Sequence, residues 1–125
     1  MKYKKCARTI GKVAVPEGVK TICKGAFSYW ENITEVKLPK SLYHIENNAF
    51  MCCKNLKSIK KPQNITTINE YLFYKLKNLE DVVLQEGLES IESFAFYECE
   101  NFSINFIFLS PSIPECWHKV NHHCV

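Results

Sequence analysis

The densest chemistry in the chain lies near its carboxyl end, where Cys116, His118, His122, His123 and Cys124 fall within nine residues. Thiolates and imidazoles are the ligands that surround Zn²⁺ tetrahedrally, which makes Cys116, His118, His122 and Cys124 the candidate metal set. Their spacing matches no standard finger and contains no Cys-x-x-Cys pair. A polar tail is the plainer reading, and neither metal nor cofactor is expected. Cys116 and His118 also form a nominal thiol–imidazole dyad. Acyl transfer needs such a pair held rigidly beside oxyanion donors, which near-adjacent residues on a tail do not supply. With four glycines in the whole chain there is no phosphate loop, and neither His-Glu-x-x-His nor Gly-x-Ser-x-Gly occurs. The chain is expected to be non-enzymatic.

What would position any side chain here is a repeat. A shift of 23 residues aligns 11–33, 34–56, 57–79 and 80–102 without a gap. Residues 1–10 form an N-terminal edge and 103–125 an irregular last coil and tail, all within one domain. One column reads Val13, Val36, Ile59, Val82, another Ile22, Ile45, Ile68, Ile91, and a third Phe27, Phe50, Phe73, Phe96. Over eight such columns, 31 of 32 positions are apolar, Lys61 being the exception. That regularity is the mark of a stacked-coil protein, in which no single coil can bury its own apolar side.

The spacing within a unit gives the coil's shape. Val36-Lys37-Leu38 alternates with period two, so it reads as a short strand with Val36 and Leu38 inward. Pro39 follows and cannot donate to a ladder. Gly18, Ser41, Asn64 and Gly87 share a turn column. A second extended piece carries Leu42 and Ile45, and the Ala49-Phe50 pair suits a short helical turn. Asn32, Asn55, Asn78 and Asn101 recur before each strand as a ladder of amides for the turn carbonyls. That ladder also accounts for two of the three glycosylation sequons, at Asn32 and Asn101; the third is at Asn64.

The unit Leu-Pro-x-x-Leu-x-x-Ile-x-x-x-Ala-Phe-x-x-Cys-x-Asn-Leu-x-x-Ile, as it stands from Leu38 to Ile59, resembles the BspA-like (Treponema pallidum-type) leucine-rich repeats. Pro16-Glu17-Gly18-Val19, Asn47-Asn48-Ala49-Phe50 and Cys53-Lys54-Asn55-Leu56 carry the likeness, which covers about residues 10–113. The resemblance implies a right-handed solenoid of β-rich coils with short strands on both faces. It further implies a protein-binding role of the adhesion type, since such proteins sit on bacterial and protozoan surfaces.

Seven cysteines cannot all pair within one chain. Cys53 and Cys99 occupy one core column two coils apart, about 10 Å at one strand spacing per coil, beyond the roughly 7 Å a disulfide spans. They are expected to be free and buried. Cys23 and Cys52 fall in variable columns and read as exposed. Unpaired thiols suit a reducing compartment, so the chain as given reads as intracellular. A removed export signal would make it cell-surface or secreted.

Charge is uneven along the stack. Residues 1–79 hold 15 of the 16 basic residues, whereas 80–102 hold seven acids and no base. Seven carboxylates would repel phosphate, which argues against nucleic acid, and no apolar run is long enough for membrane insertion. The expected partner is a protein, met on a solenoid face. The outward strand residues Lys37, Lys60, Asp81 and Val83 are the candidates, with Lys61, which as a lone polar residue in a core column is expected to reach the edge or meet an acid. Tyr43, His44, Tyr71 and Tyr74 offer contacts on other faces. The competing function is a small intracellular effector or inhibitor that occludes another protein.

The period breaks after residue 102. Two inserted residues restore it, putting Ile107, Leu109 and Ile113 in core columns and turning Phe106 and Phe108 outward. A strand apolar on both faces wants cover on both, so self-association through Phe106 and Phe108, as a homodimer, is expected.

Overall fold

Parallel pairing at a near-constant offset organises the molecule. The computed structural model describes residues 2–3, 11–60, 62, 64–84, 87–100 and 103–106. The strands in chain order are β1 (Lys2–Tyr3), β2 (Gly11–Ala14), β3 (Thr21–Ile22), β4 (Ile33–Lys37), β5 (His44–Ile45), β6 (Ser58–Lys60), β7 (Thr67–Ile68), β8 (Asp81–Leu84), β9 (Ser90–Ile91) and β10 (Ser103–Phe106). β10, β8, β6, β4 and β2 form one five-stranded parallel sheet, and β1-β3-β5 and β7-β9 make two narrower ladders. The chain is thus a leucine-rich-repeat solenoid in which each coil contributes one strand to the wide sheet. Among the described residues no helix is long and apolar enough to cross a membrane.

Alternation sorts the strand residues. Val13, Val36, Ile59 and Val82 are all buried and pair along the sheet as Val13↔Val36, Val36↔Ile59 and Ile59↔Val82. Their neighbours Lys12, Ala14, Glu35, Lys37 and Lys60 are exposed. Opposite them Ile22, Ile45, Ile68 and Ile91 close the core from the narrow side. Between the two lies a file of phenylalanines, with ring centroids 5.2 Å apart for Phe27–Phe50, 6.1 Å for Phe50–Phe73 and 5.2 Å for Phe73–Phe96. Offset stacking at this spacing adds to the apolar area buried.

The turn around each Ala-Phe pair is a run of i→i+3 bonds, such as Ala26 N–H to the Cys23 carbonyl, Ser28 to Gly25 and Trp30 to Phe27. Left-handed residues punctuate it at two columns. One holds Gly25, Asn48, Tyr71 and Phe94, the other Tyr29, Cys52, Lys75 and Glu98, all with φ between 56° and 65°. Backbone that reverses hand this often cannot continue as a helix. The amides freed by the reversal bond to the next coil instead, as Tyr29 N–H does to the Met51 carbonyl at 2.9 Å.

The asparagine ladder forms as its column implies. Asn55 Nδ2 donates to the Glu31 carbonyl at 2.6 Å, and Asn78 Nδ2 to the Lys54 carbonyl at 2.8 Å. Asn64 and Asn69 make the same 24-residue reach elsewhere in the coil, to Lys40 and Ile45. No buried side-chain nitrogen or oxygen among the described residues lacks a partner.

Cys53 and Cys99 are free and buried, and each thiol donates to a carbonyl 26 residues back, Phe27 and Phe73 respectively, at 2.9 Å. A maleimide should therefore spare both on the native protein and label both in denaturant. Mass mapping of a Cys53–Cys99 disulfide would contradict the coil spacing. Cys52 departs from expectation: it is only 7% exposed, whereas Tyr29, one unit earlier in the same left-handed column, is 65% exposed. Cys23 is half-buried.

The last described strand also differs. β10 pairs as Ser103↔Asp81, Ile104↔Val82, Asn105↔Val83 and Phe106↔Leu84. The offset is 22 residues, not the lengthened one that puts Ile107 in the Val82 column. The strand resumes one residue early, so Ile104 aligns with Val82 and Phe106 with Leu84. Phe108, Ile107, Leu109 and Ile113 lie outside the described residues.

Candidate functional site

The wide sheet's outer surface is built by the same alternation that fills the core. Strand residues between the buried positions must point away from it, and the register lines them into rows. Lys12↔Glu35, Glu35↔Ser58 and Ser58↔Asp81 form one row. Ala14↔Lys37 and Lys60↔Val83 belong to the next. Lys37 and Lys60 hold the same offset in consecutive units, so their stems rise one strand spacing apart, about 4.8 Å. Neither makes an ion pair among the described residues. Lys12 and Glu35 do pair, at 3.6 Å, but an exposed contact of that kind contributes little.

Where β4 and β6 run into their turns the face dips into a hollow of about 610 Å³, lined by Glu17, Glu35, Lys37, Lys40, Ser58 and Lys60. Its rim is braced across the coils. Glu17 Oε1 accepts from the Lys40 amide at 3.2 Å, the Ser41 hydroxyl donates to the Val19 carbonyl at 2.8 Å, and Asn64 reaches the Lys40 carbonyl at 3.2 Å. Three lysines and the carboxylates of Glu17 and Glu35 thus line an open concavity braced between coils.

Of the sequence candidates, the structure brings Lys37 and Lys60 together at this hollow and places Val83 beside Lys60, half-buried. Asp81 stands in the neighbouring row on backbone register. Lys61, and Cys116, His118, His122 and Cys124, lie outside the described residues. Among those described, no group of three or more His, Cys, Asp or Glu could hold a metal. Tyr43 is 56% exposed and His44 is exposed, on the narrow side rather than near the hollow.

Lys40 and Glu17 escaped the sequence reading. They sit in turns, one on each side of the boundary between units, and only the 23-residue offset (17 to 40) hints that they stack. A second feature was half seen. Tyr71 and Tyr74 belong with Phe94 and Tyr97 to a four-ring cluster: Tyr71–Phe94 and Tyr74–Tyr97 stack at 5.1 and 5.7 Å, while Tyr71–Tyr74 and Phe94–Tyr97 meet edge-on at 5.3 and 5.4 Å.

A profile of the BspA type leucine-rich repeat region matches residues 2–123, in six copies. No curated protein matches the sequence significantly. Among solved structures, the T. pallidum leucine-rich repeat protein TpLRR is similar at 29% identity and a TM-score of 0.72, over 76% of this chain and 45% of that one. A leucine-rich cell surface protein of Faecalibacterium prausnitzii is similar at 25% identity and TM-score 0.62, over 84% and 34%. A leucine-rich repeat protein of Eubacterium ventriosum shares the fold at 20% identity and TM-score 0.59, over 82% and 33%. The chain therefore spans less than half the length of each.

Proposed function

From the premise that this chain belongs to the BspA-type leucine-rich repeat family, whose general role is protein binding, we propose that it is a non-enzymatic module holding an acidic segment of a partner protein across its wide-sheet face. The observation that carries this reading is the pairing of Lys37 and Lys60 above the hollow, exposed and without ion-pair partners among the described residues. Adhesion is the setting it suits best, since one of the similar solved structures is named a cell surface protein. The rows continue from strand to strand, so an extended segment can lie across several coils and meet side chains at regular steps. Long-range attraction to the basic units also speeds encounter with an acidic partner.

An extended Asp/Glu-rich peptide, titrated under ¹H–¹⁵N NMR, should shift amides of residues 35–38 and 58–60 and release with added salt. Lys37→Glu/Lys60→Glu should weaken that binding at least about tenfold, since each exposed ion pair contributes up to about 1 kcal/mol and reversal adds repulsion. Tyr43→Ala, on the other side, should leave it unchanged. Shifts that map elsewhere, or binding that survives the double reversal, would move recognition off this face.

A further inference from the structure

We propose that the ring cluster Tyr71, Tyr74, Phe94 and Tyr97 is a two-fold interface with a second copy of this chain, on a surface separate from the lysine hollow. The fold does not ask for aromatic residues there. At the same two columns the first two units carry Gly25 and Ser28, then Asn48 and Met51, and those coils close equally well, with the Ser28 hydroxyl donating to the Asn48 carbonyl at 2.7 Å.

The rings are also held against a backbone preference. Tyr71 and Phe94 have φ of 56° and 59°, left-handed conformations that Gly25 and Asn48 take easily and a bulky aromatic residue resists. Every unit takes this conformation at that column, so the coil imposes it and does not require an aromatic residue there. All four residues keep part of their surface open to solvent. Each is locked by one stacked and one edge-on neighbour, so little side-chain freedom remains to be lost on binding.

Charge identifies the occupant. On one flank of the cluster the third unit presents Lys75 and Lys77, and the fourth unit presents Glu98 and Glu100 at the same two columns. Lys75 and Glu98 are side by side at 3.6 Å, and the Lys75 ammonium lies 5.3 Å from the Tyr74 ring centre. A two-fold axis running along the coils between these units lays each third unit on the other copy's fourth. Lys75 then meets the partner's Glu98, Lys77 meets the partner's Glu100, and Tyr71 and Tyr74 face the partner's Phe94 and Tyr97. An axis along the stack would instead set the fourth unit on its own copy, acid against acid. A surface that complements itself under one two-fold rotation is what a closed dimer requires.

Four partly open rings and two ion pairs make a small interface, at the weak end of specific association, so dissociation at about 10–100 µM is expected. Sedimentation of the full chain over that range should show a reversible monomer–dimer equilibrium that shifts to monomer in high salt. Tyr71→Asn/Phe94→Asn installs the residue the second unit already carries at this column. It should leave the thermal midpoint unchanged or raised while weakening the dimer at least tenfold. Lys75→Glu should weaken it too, and Lys75→Glu/Glu98→Lys should restore it. A chain that stays monomeric at several hundred micromolar (more than fivefold above the expected range) overturns the proposal. So does a dimer that survives the asparagine pair, and one abolished only by Phe106→Asp/Phe108→Asp would put association at the last strand.

Discussion

Phe73→Ala is expected to cost about 3–5 kcal/mol of unfolding free energy, the range for deleting a buried aromatic side chain. Phe73 is 3% exposed and stacks on Phe50 and on Phe96, so its removal leaves a gap with rings above and below. Both neighbours are held by backbone bonds of their own, the Phe50 amide donating to the Leu72 carbonyl and the Phe96 carbonyl accepting from the Cys99 amide. Domains of this size are stable by about 5–15 kcal/mol, so one truncation removes a large share. In a stack whose stability is a sum of coil and interface terms, the damage also falls between the second and fourth units. The denaturant transition should become broader as well as earlier. Phe73→Leu should lose less, and Tyr43→Ala, at an exposed position, less than about 0.5 kcal/mol. A Phe73→Ala midpoint equal to wild type would take the ring file out of the account of stability.

Alkaline unfolding is the second large effect. Burial pushes the Cys53 and Cys99 thiols up from 9.0 to about 12, against the opposing pull of backbone amide donors at Trp30 and Leu76. The folded chain therefore keeps two protons that the unfolded chain releases above pH 9. A group with a raised folded pKa lends its full stability below the unfolded pKa and loses it as pH climbs toward the folded one. Across pH 9–12 each thiol should withdraw about 1.4 kcal/mol per pH unit. The pair would exhaust a marginal domain within a few units. Cys53→Ser/Cys99→Ser keeps a donor for the Phe27 and Phe73 carbonyls and removes the titration. Its stability should fall less steeply with pH than that of wild type between pH 9 and 11. Parallel curves for the two proteins would mean the thiols ionise as freely folded as unfolded.

Core columns were readable because burial selects residue type at fixed intervals: every described member of the Phe27 and Ile22 columns is buried. The wide-sheet rows followed from the same period, which is why Lys37 and Lys60 could be named. Turn conformation was not readable. Tyr29, Cys52, Lys75 and Glu98 share one left-handed backbone state with φ near 60°, yet they have no chemistry in common. The state is imposed by bonds to the next coil rather than by the residue's own preference, so no glycine flags it. The four-ring cluster was half missed, since Phe94 and Tyr97 stack on Tyr71 and Tyr74 across a unit boundary that a reading within one coil does not cross. The strand β10 resumed at a 22-residue offset, a slip of the kind that side-chain pattern alone leaves open when both faces are apolar.

The asparagine bonds that reach back 24 residues, Asn55 to Glu31 and Asn78 to Lys54, have an arithmetical consequence. Each rung refers only to the rung before it. Duplication or loss of 23 residues therefore leaves every remaining bond with a partner, and the outer surface grows or shrinks by one step of about 4.8 Å. Loss of a single residue must instead be absorbed in a turn, as the 22-residue offset before β10 is, or it sends the next Val36-type side chain to solvent and strands the next amide. A lineage built on this chain can tune the length of partner it grips only in whole steps, like a ruler cut at its graduations.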